Sequence, residues 1–555
     1  MDWSQFGALL GGIGLLLLGM GMMTEGLRLA AGRSLLHLLE TSTRTPVRGV
    51  ATGFLITTSV QSSSAVTAAT IGFANAGILK LKQAAWIIYG SNIGTTMTGW
   101  LVALIGLNLK IEAFALPFIG IGMALQLAKK RERLAAVGTA LTGFGALFLG
   151  ISFLKHAMEG NTGLLDLSQL DALGIPGVAL GVVAGALMTT VMQSSSAVLA
   201  IILTASASQV VSLHLGAALV IGANIGTTST ALLSVIGATA SAKRLACLHL
   251  VFNTVTAAVA LLLLWPLLAL QVWLMGIFDI APMPASQLAV FHTLFNVLGV
   301  IIMWYPTPYL IKWLKRKVVE PTDNNKIKPK YIDNTVLSLP ELGVNALYYE
   351  LVHVTALMRQ LVEELMDSLT APSATPTDWT RLQKLLNKIA NFAVKLGRTN
   401  LPQEAAADLM VLTRVSHNFR TAVHDIAEIT SAAQKQANYP LFNAAYTDLL
   451  RVFVASLDMT ANTFEMPATH GLNKQLSDAR HDQREALLIK GAAGETDMAG
   501  ISAVLQQLNI TQRLCEQLYK ATQLLNRFGA SRGLPADVGD AAAAQPPAES
   551  DQSAN

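Results

Sequence analysis

Two identical pentapeptides carry the residues best suited to bind a solute. Gln61 to Ala65 reads QSSSA, and Gln193 to Ala197 reads QSSSA again, 132 positions later. Each serine supplies a hydroxyl group, and each glutamine adds an amide. A helix that starts after such a break also exposes backbone N–H groups at the positive end of its dipole, which together bind anions. The predicted oxyanion-binding residues are Gln61, Ser62, Ser63, Ser64, Gln193, Ser194, Ser195 and Ser196.

A second motif repeats in the same register. GSNIGTT spans Gly90 to Thr96 and GANIGTT spans Gly222 to Thr228, again 132 positions apart. Two motifs that keep one spacing indicate an internal duplication. We interpret their polar residues as ligands of the substrate or its coupling cation, and caps at a broken helix are the alternative. These residues are Asn92, Thr95, Thr96, Asn224, Thr227 and Thr228.

The surroundings of the second motif pair carry no charge, since the chain has no Asp, Glu, Lys or Arg from Ala172 to Ala242. A multivalent anion in a neutral, partly desolvated pocket is costly, so a bound cation that offsets its charge is expected. This reasoning predicts co-transport without identifying the cation. Small polar residues also serve as packing residues between membrane helices, but the paired register favours binding.

Other polar residues in apolar surroundings have structural interpretations. His249 and Asn253 recur as His292 and Asn296, each pair four positions apart on one helix face. An interhelical hydrogen bond is the favoured role, and a proton relay is the alternative.

The composition is that of a membrane protein, with 52% hydrophobic and 13% charged residues in a chain of 555. Two regions, 50–79 and 176–208, are apolar but interrupted at QSSS, which leaves pieces of roughly 10 to 15 residues that suit re-entrant hairpins. The runs long enough to span a bilayer are 5–27, 84–108, 111–128, 134–154, 211–236, 245–275 and 286–311.

Basic clusters at 129–133, 243–244 and 312–317 give the orientation, because such clusters stay cytoplasmic. This places the N-terminus in the periplasm and the C-terminal region in the cytoplasm of a bacterial inner membrane. One extra span then separates repeats 1–108 and 134–236 and inverts the second relative to the first. The predicted fold class is all-α: a polytopic transport domain (1–317) of two inverted repeats, each with a re-entrant hairpin, plus a soluble C-terminal helical bundle.

The sequence changes character after Lys317. The first 317 residues hold 18 Lys and Arg against 9 Asp and Glu, whereas the rest hold 21 and 26. We predict a polar linker over 318–340, a helical domain over 341–530 and a disordered tail over 531–555. Within the helical domain, helix breaks are expected near 371–376, 401–402, 440 and 470. The predicted apolar stripe of its first helix is Leu347, Leu351, Val354, Met358, Leu361 and Leu365.

With both motif pairs and H-x-x-F-N twice downstream, residues 5–312 resemble the sodium/phosphate cotransporter family. The resemblance implies phosphate as substrate, sodium as coupling ion and the QSSS hairpins as the site. Bacterial relatives carry a C-terminal PhoU-like domain, which 341–530 resemble in length and helical content. The segment 419–428 resembles that domain's metal-binding signature, but Asn418 and Thr421 stand where acidic residues are expected, so no bound metal is predicted.

These observations predict a secondary phosphate transporter with no resident cofactor, and leave its direction open. A membrane-bound phosphate sensor that signals through the helical domain is the alternative. An enzyme is not expected, because no nucleophile elbow, zinc motif or Walker loop occurs. The expected partners are phosphate, sodium and lipid, with a cytoplasmic regulator or a second copy binding the helical domain. Nucleic acid is not expected, since the basic residues lie in short clusters between apolar runs.

Overall fold

The computed structural model consists of two compact units, one within residues 3–319 and one from residue 329 onward. The described residues are 3–41, 45–75, 79–106, 111–127, 132–159, 173–236, 238–319, 329–332, 336–337, 340–370, 379–399, 401–435, 444–461, 464–493 and 498–534.

The membrane unit is built of helices, and no strand occurs among its described residues. Its helices are α1 (Trp3–Thr41), α2 (Pro46–Val60), α3 (Ser63–Asn75), α4 (Leu81–Leu101), α5 (Ile111–Gln126), α6 (Glu132–Glu159), α7 (Ile175–Met192), α8 (Ser195–Ala207), α9 (Leu213–Ser234), α10 (Ala240–Leu262), α11 (Leu264–Ile277), α12 (Pro284–Met303) and α13 (Thr307–Lys317).

Within the described residues, six of these helices are long and apolar enough to cross a membrane: α1, α6, α7, α9, α10 and α12. The expectation of an all-helical membrane protein is confirmed. Helix α7 has 18 residues. It is therefore longer than the pieces of roughly 10 to 15 residues that were expected on either side of a QSSS interruption. The apolar run 245–275 is divided at Leu263 between α10 and α11, and the run 286–311 is divided between α12 and α13.

Glycines bring the helices of each repeat into close contact. A Cβ atom added to Gly53 of α2 would overlap Ile87 O of α4, and one added to Gly185 of α7 would overlap Leu219 O of α9. These two glycines are 132 positions apart, so the pair α2 and α4 packs like the pair α7 and α9. Backbones that approach this closely are held by dispersion and leave no space for a side chain.

Helices α1 and α6 form a third close pair, again through glycine, because a Cβ atom at Gly19 would overlap Leu147 N. Within α1, Arg28 forms an ion pair with Glu25 at 2.6 Å. Helix α8 lies in the main apolar core, where Ala197, Val198, Leu199, Ala200, Ile202 and Leu203 are all buried. A helix that is apolar on all sides is held by packing rather than by solvent contact.

The second unit consists of the helices α14 (Pro340–Thr370), α15 (Thr380–Gly397), α16 (Gln403–Lys435), α17 (Ala444–Ser456), α18 (Met466–Ala492) and α19 (Met498–Arg532). All six residues of the apolar stripe predicted for α14 are buried. The prediction of a helix break near His470 is wrong. That residue lies in the first turns of α18, and the chain breaks earlier, between Ser456 and Met466, because Pro467 favours the first turn of a helix. The break expected near Pro440, and the tail beyond Leu534, lie outside the described residues.

Two carboxylates among the described residues of this unit are fully buried. Glu350 of α14 is fully buried, and one of its oxygens accepts the backbone N–H groups of Lys330, Tyr331 and Ile332 at 2.8, 2.6 and 3.2 Å. Desolvation raises the pKa of the Glu350 carboxyl to about 6, against the opposing effect of these donors.

Asp425 of α16 is the second buried carboxylate. It accepts two hydrogen bonds from the Arg513 guanidinium, at 2.8 and 2.5 Å, and Glu428 accepts a third at 3.1 Å. In the segment that resembles the PhoU signature, an arginine therefore neutralises the acidic residues. The described residues contain no group of three His, Cys, Asp or Glu that could hold a metal ion.

Candidate functional site

The first QSSS motif lies at the break between α2 and α3. Gln61 adopts a left-handed conformation with φ 55°, and its side-chain amide donates back to Thr58 O at 2.7 Å. The Ser62 hydroxyl caps the next helix by accepting the Ala65 N–H at 3.3 Å. The helix therefore stops and restarts within two residues, and its new N-terminus presents unpaired backbone N–H groups.

The second QSSS motif has the same local structure between α7 and α8. Gln193 has φ 54°, its amide donates to Thr190 O at 2.7 Å, and the Ser194 hydroxyl accepts the Ala197 N–H at 3.3 Å. Both interruptions thus fall where the sequence predicts them. Two breaks 132 residues apart have the same cap, the same left-handed residue and the same amide contact.

The environments of the two motifs differ. Gln61 is buried and Gln193 is exposed, whereas Ser64 is exposed and Ser196 is buried. The serines that are partly exposed are Ser62, Ser63, Ser194 and Ser195. The last serine of the second motif and the glutamine of the first therefore lie inside the unit.

A threonine of α4 brings these two residues together. The Thr98 hydroxyl donates to Gln61 Oε1 at 2.9 Å and lies 3.4 Å from Ser196 Oγ. Thr98 is buried, so these contacts form out of solvent, where an unpaired oxygen is costly. The result is one polar cluster with members from both QSSS motifs.

Sequence reasoning did not find Thr98, although a signal was present. It is the last residue of TTMT, and Thr230 is the last residue of TTST, 132 positions later. The Thr230 hydroxyl donates to Thr227 O of its own helix, at 2.7 Å. The two positions match in sequence, but within the described part of the chain it is Thr98 that bonds to a QSSS residue.

The asparagines and threonines of the second motif lie within unbroken helices. Thr95 donates to Ser91 O, and Thr96 to Ile93 O. The equivalent residues Thr227 and Thr228 bond to carbonyls of α9 in the same way. The interpretation as caps of a broken helix is therefore wrong, because α4 and α9 run continuously through both motifs. A hydroxyl that donates to its own helix keeps lone pairs that can bind a hard cation.

The position of Ser91 differs between the two repeats. Thr57 donates to Ser91 Oγ at 2.7 Å, but Ala223 occupies the place equivalent to Ser91. The hydroxyl of Thr189, which is equivalent to Thr57, is consequently buried without a hydrogen-bond partner. In the first repeat this bond connects α2 to α4, and the alanine at the matching position of the second repeat cannot form it.

The expected interhelical hydrogen bond is present for one of the two histidine and asparagine pairs. Asn224 of α9 donates to Asn253 Oδ1 of α10 at 2.8 Å. Asn296, in contrast, donates to His292 O of its own helix at 2.9 Å, and its Oδ1 is buried without a partner. The first pair thus ties a motif residue to the neighbouring helix.

The family model described as Na+/Pi-cotransporter matches residues 15–156 and 176–280. These two segments contain both QSSS motifs and both NIGTT motifs. The membrane unit belongs to this family. Helix α12, with its histidine and asparagine, lies beyond the matched residues of the Na+/Pi-cotransporter model.

Curated relatives extend the similarity. A Salmonella typhimurium protein named "Putative inorganic phosphate export protein YjbB" is 26% identical over 403 residues, which cover 72% of each chain. A Bacillus subtilis protein named "Uncharacterized protein YqeW" is 29% identical over 290 residues, 52% of this chain and 89% of its own. A rat protein, "Sodium-dependent phosphate transport protein 2A", is 34% identical over 98 residues, 17% of this chain and 15% of its own. No solved structure matches this chain.

Proposed function

We propose that the chain is a secondary transporter that moves inorganic phosphate together with sodium through alternating access around one neutral site. The family supports phosphate and sodium as the transported species. The QSSS breaks supply the anion donors, and the hydroxyl and amide oxygens of both motif pairs supply cation ligands. Sodium offsets the charge of phosphate, because 173–236 contain no charged side chain.

The observation that carries this proposal is the cluster of Gln61, Thr98 and Ser196. It connects residues of two separate helix breaks, which is what a site shared by two repeats requires. The repeats are proposed to be inverted, with the N-terminus periplasmic and the helical unit cytoplasmic in a bacterial inner membrane. The basic clusters of the sequence support that topology, because such clusters stay cytoplasmic.

The first experiment measures flux of radiolabelled phosphate in vesicles that contain the purified full-length chain. Replacing sodium by N-methylglucamine is expected to abolish flux, and a proton gradient is expected not to restore it. Flux that is equal in both media would contradict sodium coupling. Direction follows the sum of the gradients, and the export named for the enteric relatives makes efflux from phosphate-loaded vesicles the first measurement.

Residue roles are tested by Ser63→Ala and Ser195→Ala. Each removes one hydrogen bond to a charged ligand, about 1.5–3 kcal/mol, so flux is expected to fall about 10- to 150-fold. Ser59→Ala is the matched control, because that exposed hydroxyl donates to Leu55 O of its own helix. Flux in both test variants that equals the control would contradict the proposed site.

A phosphate sensor is the second function considered, since the helical unit is large enough to bind a cytoplasmic regulator or a second copy. Deleting 341–555 separates the two functions. Flux that survives the truncation supports the transporter. A truncated chain that keeps phosphate binding, carries no flux and loses a transcriptional response supports the sensor.

A further inference from the structure

An apolar cavity lies beside the first helix break. Its volume is about 370 Å³, and residues of α1, α2, α4, α5 and α6 line it. The polar residues among them are Thr58 and Gln61; the others are hydrophobic, including Leu27, Leu101 and Phe144. The volume is more than twice the roughly 150 Å³ that holds benzene in an apolar protein cavity.

The cavity has little capacity for a polar ligand. The Gln61 amide nitrogen already donates to Thr58 O, and its oxygen already accepts from Thr98. A buried water needs about three hydrogen-bond partners, and phosphate needs more. The wall residues cannot supply them, so the cavity does not belong to the phosphate site.

One donor nevertheless remains in the wall. The Thr58 hydroxyl is buried and has no hydrogen-bond partner. Its equivalent in the second repeat, Thr190, donates to Ala186 O of its own helix at 2.8 Å. The first-repeat hydroxyl has no such bond, and a rotation of its side chain would bring it to a single acceptor in the cavity.

The position of the cavity selects that ligand. Val137 in its wall is 40% exposed on the surface of the membrane unit, and Leu27, Phe118 and Leu141 are half-buried. These side chains are apolar, so the surface that they form is better suited to hydrocarbon than to water. A lipid chain in this cavity would make dispersion contacts with its apolar walls.

We propose that this cavity is a lipid-binding site that holds part of an acyl chain of a membrane phospholipid, with the ester carbonyl accepting a hydrogen bond from Thr58. The bound chain packs against Gln61 and stabilises the break between α2 and α3. The lipid thereby supports Gln61, the first-motif residue that accepts the hydrogen bond from Thr98. Lipid binding at this place stands independently of the transported substrate.

The test uses the full-length chain in nanodiscs with a phospholipid that carries a diazirine near the carbonyl of one acyl chain. After photolysis, mass spectrometry is expected to find adducts on cavity residues such as Leu27, Phe118 and Leu141. Val137→Phe fills the mouth and is expected to lower this labelling at least fivefold. Val183→Phe is the matched control, because that valine of α7 is 55% exposed away from the cavity.

A second pair of variants tests the hydrogen bond and does not depend on the bulky substitution. Thr58→Val is expected to lower cavity labelling several-fold, whereas Thr190→Val leaves it unchanged. The proposal is overturned if no cavity residue is labelled. That result would also be obtained if a second copy of the chain, rather than lipid, covered the cavity. Equal labelling in the native chain, Val137→Phe and Thr58→Val overturns it as well.

Discussion

The contact between the two QSSS motifs makes Thr98 the most informative position to change. Thr98→Val keeps the shape of the side chain and removes its hydroxyl. Gln61 Oε1 then loses the donor at 2.9 Å, and Ser196 Oγ loses its neighbour at 3.4 Å. Helices α4 and α8 continue to pack through apolar side chains, such as Leu199 against Gly99, so the protein is expected to remain folded.

The magnitude follows from burial of the cluster. Leaving a buried polar atom without a partner costs about 1–3 kcal/mol. If the hydroxyl positions Gln61 for transport, this free energy appears as a lower transport rate. Phosphate flux is then expected to fall about 5- to 150-fold, since each 1.4 kcal/mol corresponds to a factor of about ten.

The assay compares sodium-driven phosphate flux of Thr98→Val with that of Thr204→Val at equal protein content in vesicles. Thr204 is equally buried, but its hydroxyl donates to Ala200 O of its own helix at 2.8 Å. Both variants lose one buried hydroxyl, so any effect on folding should be shared. If flux through Thr98→Val lies within twofold of the control, the two motifs do not act through this contact.

Three other measurements test the packing, the interhelical bond and the helical unit. Gly222→Val is expected to push α7 away from α9, at a cost of about 3 kcal/mol, and to abolish the monodisperse peak in size-exclusion chromatography. Gly276→Val is the control and should leave that peak unchanged, because a side chain at Gly276 would meet no other atom. Asn253→Leu leaves the Asn224 amide buried without its acceptor, so the melting temperature should fall by an amount equivalent to about 1–3 kcal/mol, and an unchanged value would contradict the bond. The raised pKa of Glu350 means that folding favours its protonated form, so stability is greatest below its ordinary value of 4.5 and declines as pH rises through 6. The free energy of unfolding should fall by about 2 kcal/mol over this pH range. Hydrogen exchange of the α14 amides in the full-length chain should show the fall. If the same pH dependence persists in Glu350→Gln, it arises from another group.

Local features of the chain could be predicted from the sequence because they depend on neighbouring residues. The breaks at Gln61 and Gln193 require only a short polar interruption of an apolar helix and a serine that caps the next one. The buried stripe of α14 follows from helical periodicity. The repeated spacing of 132 residues indicated which local structures would match.

The tertiary structure decided which residues meet. Thr98 and Ser196 are 98 positions apart, and nothing in either segment indicates that α4 packs on α8 closely enough for their hydroxyls to approach. The same packing buries Gln61 and exposes Gln193, although both occur in the same pentapeptide. Helix packing depends on the summed shapes of many distant side chains, so identical local sequence acquires different surroundings. The sequence alone determined where the helices break and which polar groups each break carries, whereas only the packed structure decided which of those groups share one buried cluster.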